Sequence, residues 1–418
     1  MNKLYIKDLC LASKLASRKL ALVDTRTKNK ALEAMAGALL KKKALIIKAN
    51  QKDLKFAKSK KLSSALIDRL TLSSARIDVM ARSLREIADF KDPVGDIIET
   101  IRRPNGLLIK KVRVPIGSIL IIYESRPNVT SDCIGLCLKS GNSVILRGGR
   151  EAMNSNIAIF EILNAEGKKC GIPNGAIAIV RDADRSIVRG LLKESSLIDL
   201  VIPRGGESLV REVTANSRIP VIKHYKGVCH TYVDASANLD MAGNICFNAK
   251  VQRPGVCNAM ETLLVSEKIA KDFLPWMIER FRRAGLEIRG CPKTRQIAGS
   301  TVKKATEDDW YTEYLDLILS VRVVKGIDEA IAHIMKYGSY HSDAIVTDNK
   351  FNAAKFLREV DSACVYVNAS TRFTDGSEFG KGAEIGVSTD KIHARGPMGL
   401  EELESYKYVV YGNGQVRR

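Results

Sequence analysis

The chain has 418 residues, 45% of them hydrophobic, with 67 Lys and Arg against 47 Asp and Glu, which leaves a net charge of +20. Gly and Pro stand at globular levels and no run of 18 apolar residues occurs, which argues against disordered and collagenous chains and against helices that span a membrane. The length exceeds the roughly 250–300 residues at which one core stops growing, so two large domains, or two plus a small excursion, are expected.

Met1 to Arg18 interleaves Lys and Arg with apolar residues at helical spacing, which reads as an amphipathic helix and not a signal peptide. Up to about Asp92 the apolar residues recur every three or four positions (Leu39, Leu40, Ala44, Ile46, Ile47; then Ile77, Met80, Leu84, Ile87), predicting more helices. Much of the positive excess sits here, at Lys41-Lys42-Lys43 and from Lys58 to Lys61, where solvated helix faces are the plain reading and an anionic ligand the other. Two extended runs, Ile97–Ile101 and Leu107–Val114, flank Pro104-Asn105-Gly106 and predict a β-hairpin.

After Pro115, strands are predicted at Ser118–Tyr123, Ser143–Arg147, Ala176–Val180, Leu197–Ile202, Val221–Lys223 and Thr231–Val233. Helices are predicted between them around Val129–Lys139, Met153–Glu166, Ile187–Lys193 and Glu207–Ala215. This alternation implies a mostly parallel sheet covered on both faces. A second α/β series follows, with helices Met241–Lys250, Ala270–Arg283 and Ile327–Lys336, and strands Glu261–Val265, Ala344–Thr347 and Cys364–Val367. The tail from Tyr406 to Val416 reads as extended. With neither repeat nor low-complexity linker, the domains are expected to be tightly joined.

The nine cysteines are scattered and form no C-x-x-C pair, which argues against a disulfide framework and a zinc site and for a reducing compartment. The standard dinucleotide fingerprint, the P-loop and H-E-x-x-H are all missing. Arg147-Gly148-Gly149-Arg150 and Pro203-Arg204-Gly205-Gly206 each follow a strand and open a helix, so each offers backbone N–H groups and an Arg to an anion. Cys257 lies in a Pro-Gly break between a helix and a strand, where Arg253 would favour a thiolate, whereas the other cysteines mostly fall in apolar patterns. His333 reads as a helix-face residue, and His341, Ser342 and Asp343 as a capped polar turn.

The stretches Tyr123-Glu124-Ser125-Arg126-Pro127-Asn128-Val129, Lys139–Asn142 with Val144–Gly149, His333–Ile345 and Arg395–Leu403 resemble the aldehyde dehydrogenase superfamily. Within it they are similar to the γ-glutamyl phosphate reductases, over essentially the whole chain. The resemblance implies two Rossmann-like α/β domains plus a small β oligomerisation unit. The cofactor-binding domain would comprise 1–96 and 115–236. The catalytic domain would be 237–402, its last part returning toward the cofactor domain, with 97–114 and 403–418 forming the β unit. The implied activity is NADPH-dependent reduction of L-glutamyl 5-phosphate to L-glutamate 5-semialdehyde with release of phosphate, a step of proline biosynthesis in the cytoplasm.

By the same resemblance Cys257 is the nucleophile that forms a thioester. Its own N–H and the Asn128 amide are candidate oxyanion donors, although Asn128 equally suits a helix N-cap. Arg147 would contact the adenosine ribose or its 2′-phosphate, Gly205 and Gly206 the pyrophosphate, and Glu313 the nicotinamide ribose. Arg126, Arg253 and the Asn368–Arg372 turn are candidates for the substrate's charged groups. Where hydrolytic members carry a general-base Glu, this chain reads Val221-Ile222-Lys223-His224-Tyr225-Lys226-Gly227, without a carboxylate; Lys223 and His224 would line the path of phosphate. A homodimer or larger homo-oligomer is expected, and glutamate kinase, which would make the acyl phosphate, is a candidate partner. The runner-up enzyme is another nonhydrolytic acyl-phosphate or acyl-CoA reductase. A nucleic-acid-binding protein on an inactive fold is disfavoured, because aromatics are only 6% and do not interleave the lysines.

Overall fold

The lysine-rich first ninety residues form five helices, Asn2–Leu20, Thr25–Lys41, Lys43–Ser59, Ser64–Leu70 and Ser74–Asp89, in a computed structural model that describes residues 2–417. Asp24, Ser63 and Ser73 cap three of them by accepting from a backbone N–H three residues on. In Ser74–Asp89 the buried residues are Ile77, Met80, Ala81, Leu84, Ile87 and Ala88, the stripe that the spacing dictates. Lys28 is the exception among the lysines of these helices, fully buried and paired with Asp92 at 2.9 Å.

A four-stranded parallel sheet follows, in the order Ile177–Ile179, Ser143–Gly148, Ser118–Tyr123, Leu200–Arg204. Its central strand, Ser118–Tyr123, is buried at every position, as a near-continuous apolar run in a covered parallel sheet should be. A second parallel sheet has seven strands, in the order Lys303–Lys304, Glu287–Gly290, Ile318–Val324, Met260–Ser266, Cys229–Val233, Ser342–Val346, Cys364–Val367. Successive residues of Met260–Ser266 feed opposite cores: Leu263 and Val265 pack with Phe273, Met277 and Phe281, while Leu264 packs with Tyr232, Ile334 and Phe356.

The hairpin forms as the Asn-Gly turn predicts. Ile97–Arg102 pairs antiparallel with Leu108–Pro115, Gly106 takes φ +87°, and the tail strand Glu404–Tyr411 adds to the other edge of Leu108–Pro115. Two compact units result: residues 1–223 with 380–386 and 398–418, and residues 224–379 with 387–397. The five N-terminal helices and the four- and three-stranded sheets lie in the first; the seven-stranded sheet and the helices from Leu239 to Glu359 lie in the second.

Several local expectations are corrected. Val221–Lys223 is not a strand but a single bridge, Val201 with Val221, since the polar run from Lys223 offers no apolar face to extend it. The strand predicted at Thr231–Val233 begins at Cys229 and pairs with Met260–Ser266 and Ser342–Val346, so it belongs to the second sheet, whereas 115–236 had placed it with the first. His341 to Asp343 are not a capped surface turn; all three are fully buried, and Ser342 opens a strand.

Glu404 opens the tail strand and is 4% exposed, with neither carboxylate oxygen hydrogen-bonded among the described residues. Burial pushes its pKa up to about 8; Arg113 and Lys28 oppose the rise, and Asp92 and Asp96 add to it. A carboxyl raised above its ordinary 4.5 keeps its proton in the folded chain and loses it in the unfolded one, so stability falls as pH rises from about 4.5 to about 8. Glu404→Gln is therefore expected to be more stable than the parent at pH 8, by about 1–3 kcal/mol, and to lose that advantage toward pH 5. Urea midpoints of the two proteins at both pH values check this; a difference that does not change with pH contradicts it.

Candidate active site

In the second unit Cys257 sits in the loop between the helix Leu239–Val251 and the strand Met260–Ser266. Pro254 and Gly255 prevent the helix from continuing, and Ala259 N–H donates to the Val256 carbonyl at 3.1 Å, returning the chain to the strand. The side chain of Cys257 is partly exposed while Asn258 beside it is 4% exposed. Asn258 Nδ2 donates to the Thr374 carbonyl at 2.8 Å, its own carbonyl accepts from Thr371 Oγ1 at 2.7 Å, and its Oδ1 accepts from Arg372. Arg372 Nε also donates to Gln252 Oε1 at 2.8 Å. One guanidinium thus holds both ends of the segment that carries Arg253 and Cys257. Burial and then the neighbouring Arg253 charge pull the Arg372 pKa below its ordinary value, opposed by the Asp375 carboxylate.

Below the loop Lys250 and Glu261 form a fully buried ion pair at 2.5 Å, and Glu261 Oε1 also accepts from Leu315 N–H at 3.2 Å. Burial raises the Glu261 pKa to about 7 and lowers that of Lys250, each being the main cause opposed by the partner charge. Beside the loop runs the segment from Gly227 to His230, held by side chains: Gly227 N–H donates to Glu313 Oε1, Val228 N–H to Ser339 Oγ and His230 N–H to Asp343 Oδ1, each at 2.8 Å. His341 Nδ1 lies 2.8 Å from Ser342 Oγ, and its ring meets His224 edge-on with centroids 5.9 Å apart. His333 is on a helix face as expected, packed on the rings of His230, Trp310 and Tyr337, and burial drives its pKa down to about 2.

The first unit holds a cavity of about 790 Å³ whose lining includes Arg147, Arg150, Glu151, Arg185 and Arg189. Arg147 Nη2 donates to the Ala183 carbonyl at 3.0 Å, while its Nε is buried without a hydrogen-bond partner among the described residues. Burial, opposed by Glu151, lowers the Arg147 pKa from its ordinary value. Gly206 stands at the cap position of the helix Glu207–Asn216 and donates its N–H to Glu124 Oε2 at 3.0 Å. A Cβ on Gly205 would lie 2.4 Å from that same oxygen, and one on Gly149 would lie 2.1 Å from Glu151 Oε1. The arginines around the cavity and the orphaned Arg147 Nε fit the phosphates of a dinucleotide, with Glu124 and Glu151 lying against the glycine turns in this structure.

The structure sorts the remaining candidates plainly. Arg126, Asn128, Arg147, Gly205, Gly206 and Lys223 lie in the first unit; His224, Arg253, Cys257 and Glu313 lie in the second. Arg126 and Asn128 are exposed, and Lys223 is partly buried. The capping role of Asn128 fails: Pro127 takes the cap position, and Asn128 Nδ2 donates to Asp132 Oδ2 at 3.1 Å. The carboxylate of Glu313 is occupied in part by the Gly227 amide. Sequence reasoning missed Cys229, Asn258, Ser339 and the bridging role of Arg372. The Gly227-Val228-Cys229 segment between two predicted elements was the one signal for the first.

The model of the aldehyde dehydrogenase family matches residues 6–317. A γ-glutamyl phosphate reductase from Caldanaerobacter subterraneus is 59% identical over 97% of this chain and 98% of its own length. The crystal structure of a γ-glutamyl phosphate reductase from Thermotoga maritima superposes with a TM-score of 0.97 at 49% identity, covering 99% of this chain and 100% of that one. An acetylating aldehyde dehydrogenase from Geobacillus thermoglucosidasius shares the fold, with a TM-score of 0.70 at 18% identity over 100% of this chain and 98% of its own. The chain belongs to the aldehyde dehydrogenase family and, within it, to the γ-glutamyl phosphate reductases.

Proposed function

We propose that this chain reduces L-glutamyl 5-phosphate to L-glutamate 5-semialdehyde and inorganic phosphate, using NADPH, as a step of proline biosynthesis. The observation that carries the reading is the Cys257 loop itself: a partly exposed thiol on a braced turn, with Arg253 and Arg372 converging beside it. The Cys257 thiolate attacks the acyl carbon; the carbon–oxygen bond to the phosphoryl group breaks, phosphate leaves with the electron pair, and a thioester remains. The Cys257 N–H donates to the oxyanion, and Asn128 is the proposed second donor. Arg253 and Arg372 hold the anionic end of the substrate, and Arg126 is a further candidate for its charged groups. When bound, NADPH supplies the hydride. Arg147, with the turns at Gly149 and Gly205-Gly206, would hold its phosphates and adenosine ribose, and Glu313 its nicotinamide ribose.

Water must not cleave the thioester. The stretch 221–227 has no carboxylate, Glu261 is tied to Lys250, and Glu313 accepts from the Gly227 amide. In the reverse direction, NADPH formation from NADP and glutamate semialdehyde is therefore expected to require inorganic phosphate. Lys223→Ala and His224→Ala are each expected to raise the KM for phosphate about tenfold, the loss of one charge-assisted hydrogen bond. Absorbance at the NADPH maximum, with and without phosphate, checks both. Turnover without phosphate would overturn the nonhydrolytic reading, and an unchanged phosphate KM in both variants would overturn these roles.

The three-stranded sheet supports a homo-oligomer. Tyr406, Tyr408, Val410 and Tyr411 on its edge strand and Ile97 and Ile98 on the opposite one are all exposed, and an uncovered apolar edge invites pairing. Light scattering at micromolar concentration should give at least twice the 46.0 kDa chain mass; a monomer mass would contradict the assembly.

A further inference from the structure

Cys229 is not used by the chemistry above, yet it touches the nucleophile's own backbone. It opens the strand Cys229–Val233, is fully buried, and its thiol donates to the Cys257 carbonyl at 3.2 Å. His341 Nδ1 lies 3.8 Å from the same sulfur on the side where it also meets Ser342. The contact depends on a close approach of two chain segments: a Cβ added to Gly227 would fall 1.9 Å from the Cys257 oxygen, so only glycine lets them meet. The donor is held as firmly as the acceptor. The amides of residues 227, 228 and 230 are each tied to a side chain, those of Glu313, Ser339 and Asp343. Asp343 is itself fixed by His230 Nδ1 at 2.9 Å and Ser362 Oγ at 2.5 Å.

We infer that Cys229 is a positioning residue for the reaction: its thiol, donating to the Cys257 carbonyl, fixes the peptide after the nucleophile and so sets the direction in which the Cys257 sulfur points. Asn258 anchors the far side of that peptide through Thr371, Arg372 and Thr374, and among the described residues Cys229 supplies the hydrogen bond to the Cys257 carbonyl itself. The role requires a protonated sulfur. Burial, followed by the charge of Asp343, pushes the Cys229 thiol well above its ordinary pKa, which keeps it a donor and leaves Cys257 as the reactive member of the two. A nucleophile displaced by about 1 Å can lose on the order of a hundredfold in rate, so a single weak hydrogen bond at this place has leverage that it lacks elsewhere.

The inference rests on Cys257 being the nucleophile, and the test separates the two. Cys229→Ala, Cys229→Ser and Cys257→Ser are compared in the full chain by steady-state kinetics, thermal unfolding, NADPH fluorescence on binding, and the rate at which iodoacetamide alkylates Cys257, followed by peptide mass spectrometry as a function of pH. Cys229→Ala should lower kcat at least about tenfold with KM for the semialdehyde changed less than threefold, and should slow Cys257 alkylation or shift its pH profile. Cys229→Ser, whose hydroxyl still donates, should restore both toward the parent values. Wild-type kcat and alkylation in Cys229→Ala would overturn the inference. So would a serine variant that fails in parallel with the alanine variant and in step with thermal stability, because that pattern marks packing alone. Full turnover in Cys257→Ser would overturn the nucleophile instead, whatever Cys229 does.

Discussion

Cys257→Ser is expected to lower kcat about 10³-fold or more, with NADPH binding and thermal unfolding close to those of the parent. The size follows from the chemistry: a serine hydroxyl without a strong base beside it remains protonated near neutral pH, whereas a thiol supplies some thiolate. The selectivity follows from the structure. The contacts that fold the loop use the Cys257 carbonyl, the Asn258 side chain and the Ala259 N–H, and a change from sulfur to oxygen removes none of them. The cavity of about 790 Å³ proposed for the phosphates and adenosine ribose of the cofactor is lined by residues of the first unit. Its fluorescence-detected affinity for NADPH is thus a control that the substitution should not move. Retention of more than a tenth of the parental kcat would remove Cys257 from the nucleophile's place.

What could be read in the sequence follows from which interactions are local. The Asn105-Gly106 turn, the buried stripe from Ile77 to Ala88 and the helix Ala270–Arg283 are encoded by neighbours along the chain, and each appears where periodicity places it. The interior strand Ile318–Val324 was missed although its β-branched run was in plain view, because the polar stretch before it hid the start of the element. Other parts were out of reach. Asp343 and His230 are 113 residues apart, and Asn258 and Thr374 are 116 apart, so no local spacing announces that a carboxylate will bind one chain turn and a carbonyl another. Glu124 over Gly206 is a further case. Two glycines at a strand-to-helix turn did signal an anion site, but the carboxylate that lies there comes from 82 residues earlier. Cys257 stood out because Pro254 and Gly255 break local structure around it; Cys229 did not, because nothing near it in sequence says that its thiol meets a carbonyl 28 residues later.

Lys250→Met is expected to destabilise the protein by about 3–5 kcal/mol, the largest stability effect of any single substitution considered. Lys250 and Glu261 are both fully buried, so removing the ammonium leaves a carboxylate whose remaining donor among the described residues is the Leu315 N–H at 3.2 Å. The pH dependence then has a definite sign. Burial already raises Glu261 to about 7 with the lysine present, and loss of the opposing positive charge raises it further. A carboxyl raised in this way prefers its proton in the folded state, so the deficit of Lys250→Met should be small near pH 5 and grow toward pH 8. Urea midpoints at both pH values test this, and a deficit that is constant or larger in acid would show that packing, not the unpaired charge, is responsible. The double variant Lys250→Met/Glu261→Leu should recover most of the loss, since an apolar pair carries no desolvation cost. Activity should not recover with it. The pair sits where the helix ends and the strand begins on either side of Cys257, and Glu261 also holds Leu315, two residues beyond Glu313. If the double variant regains stability but not kcat, the ion pair is kept for the geometry of the loop; if both return together, its place beneath the nucleophile carries no catalytic meaning.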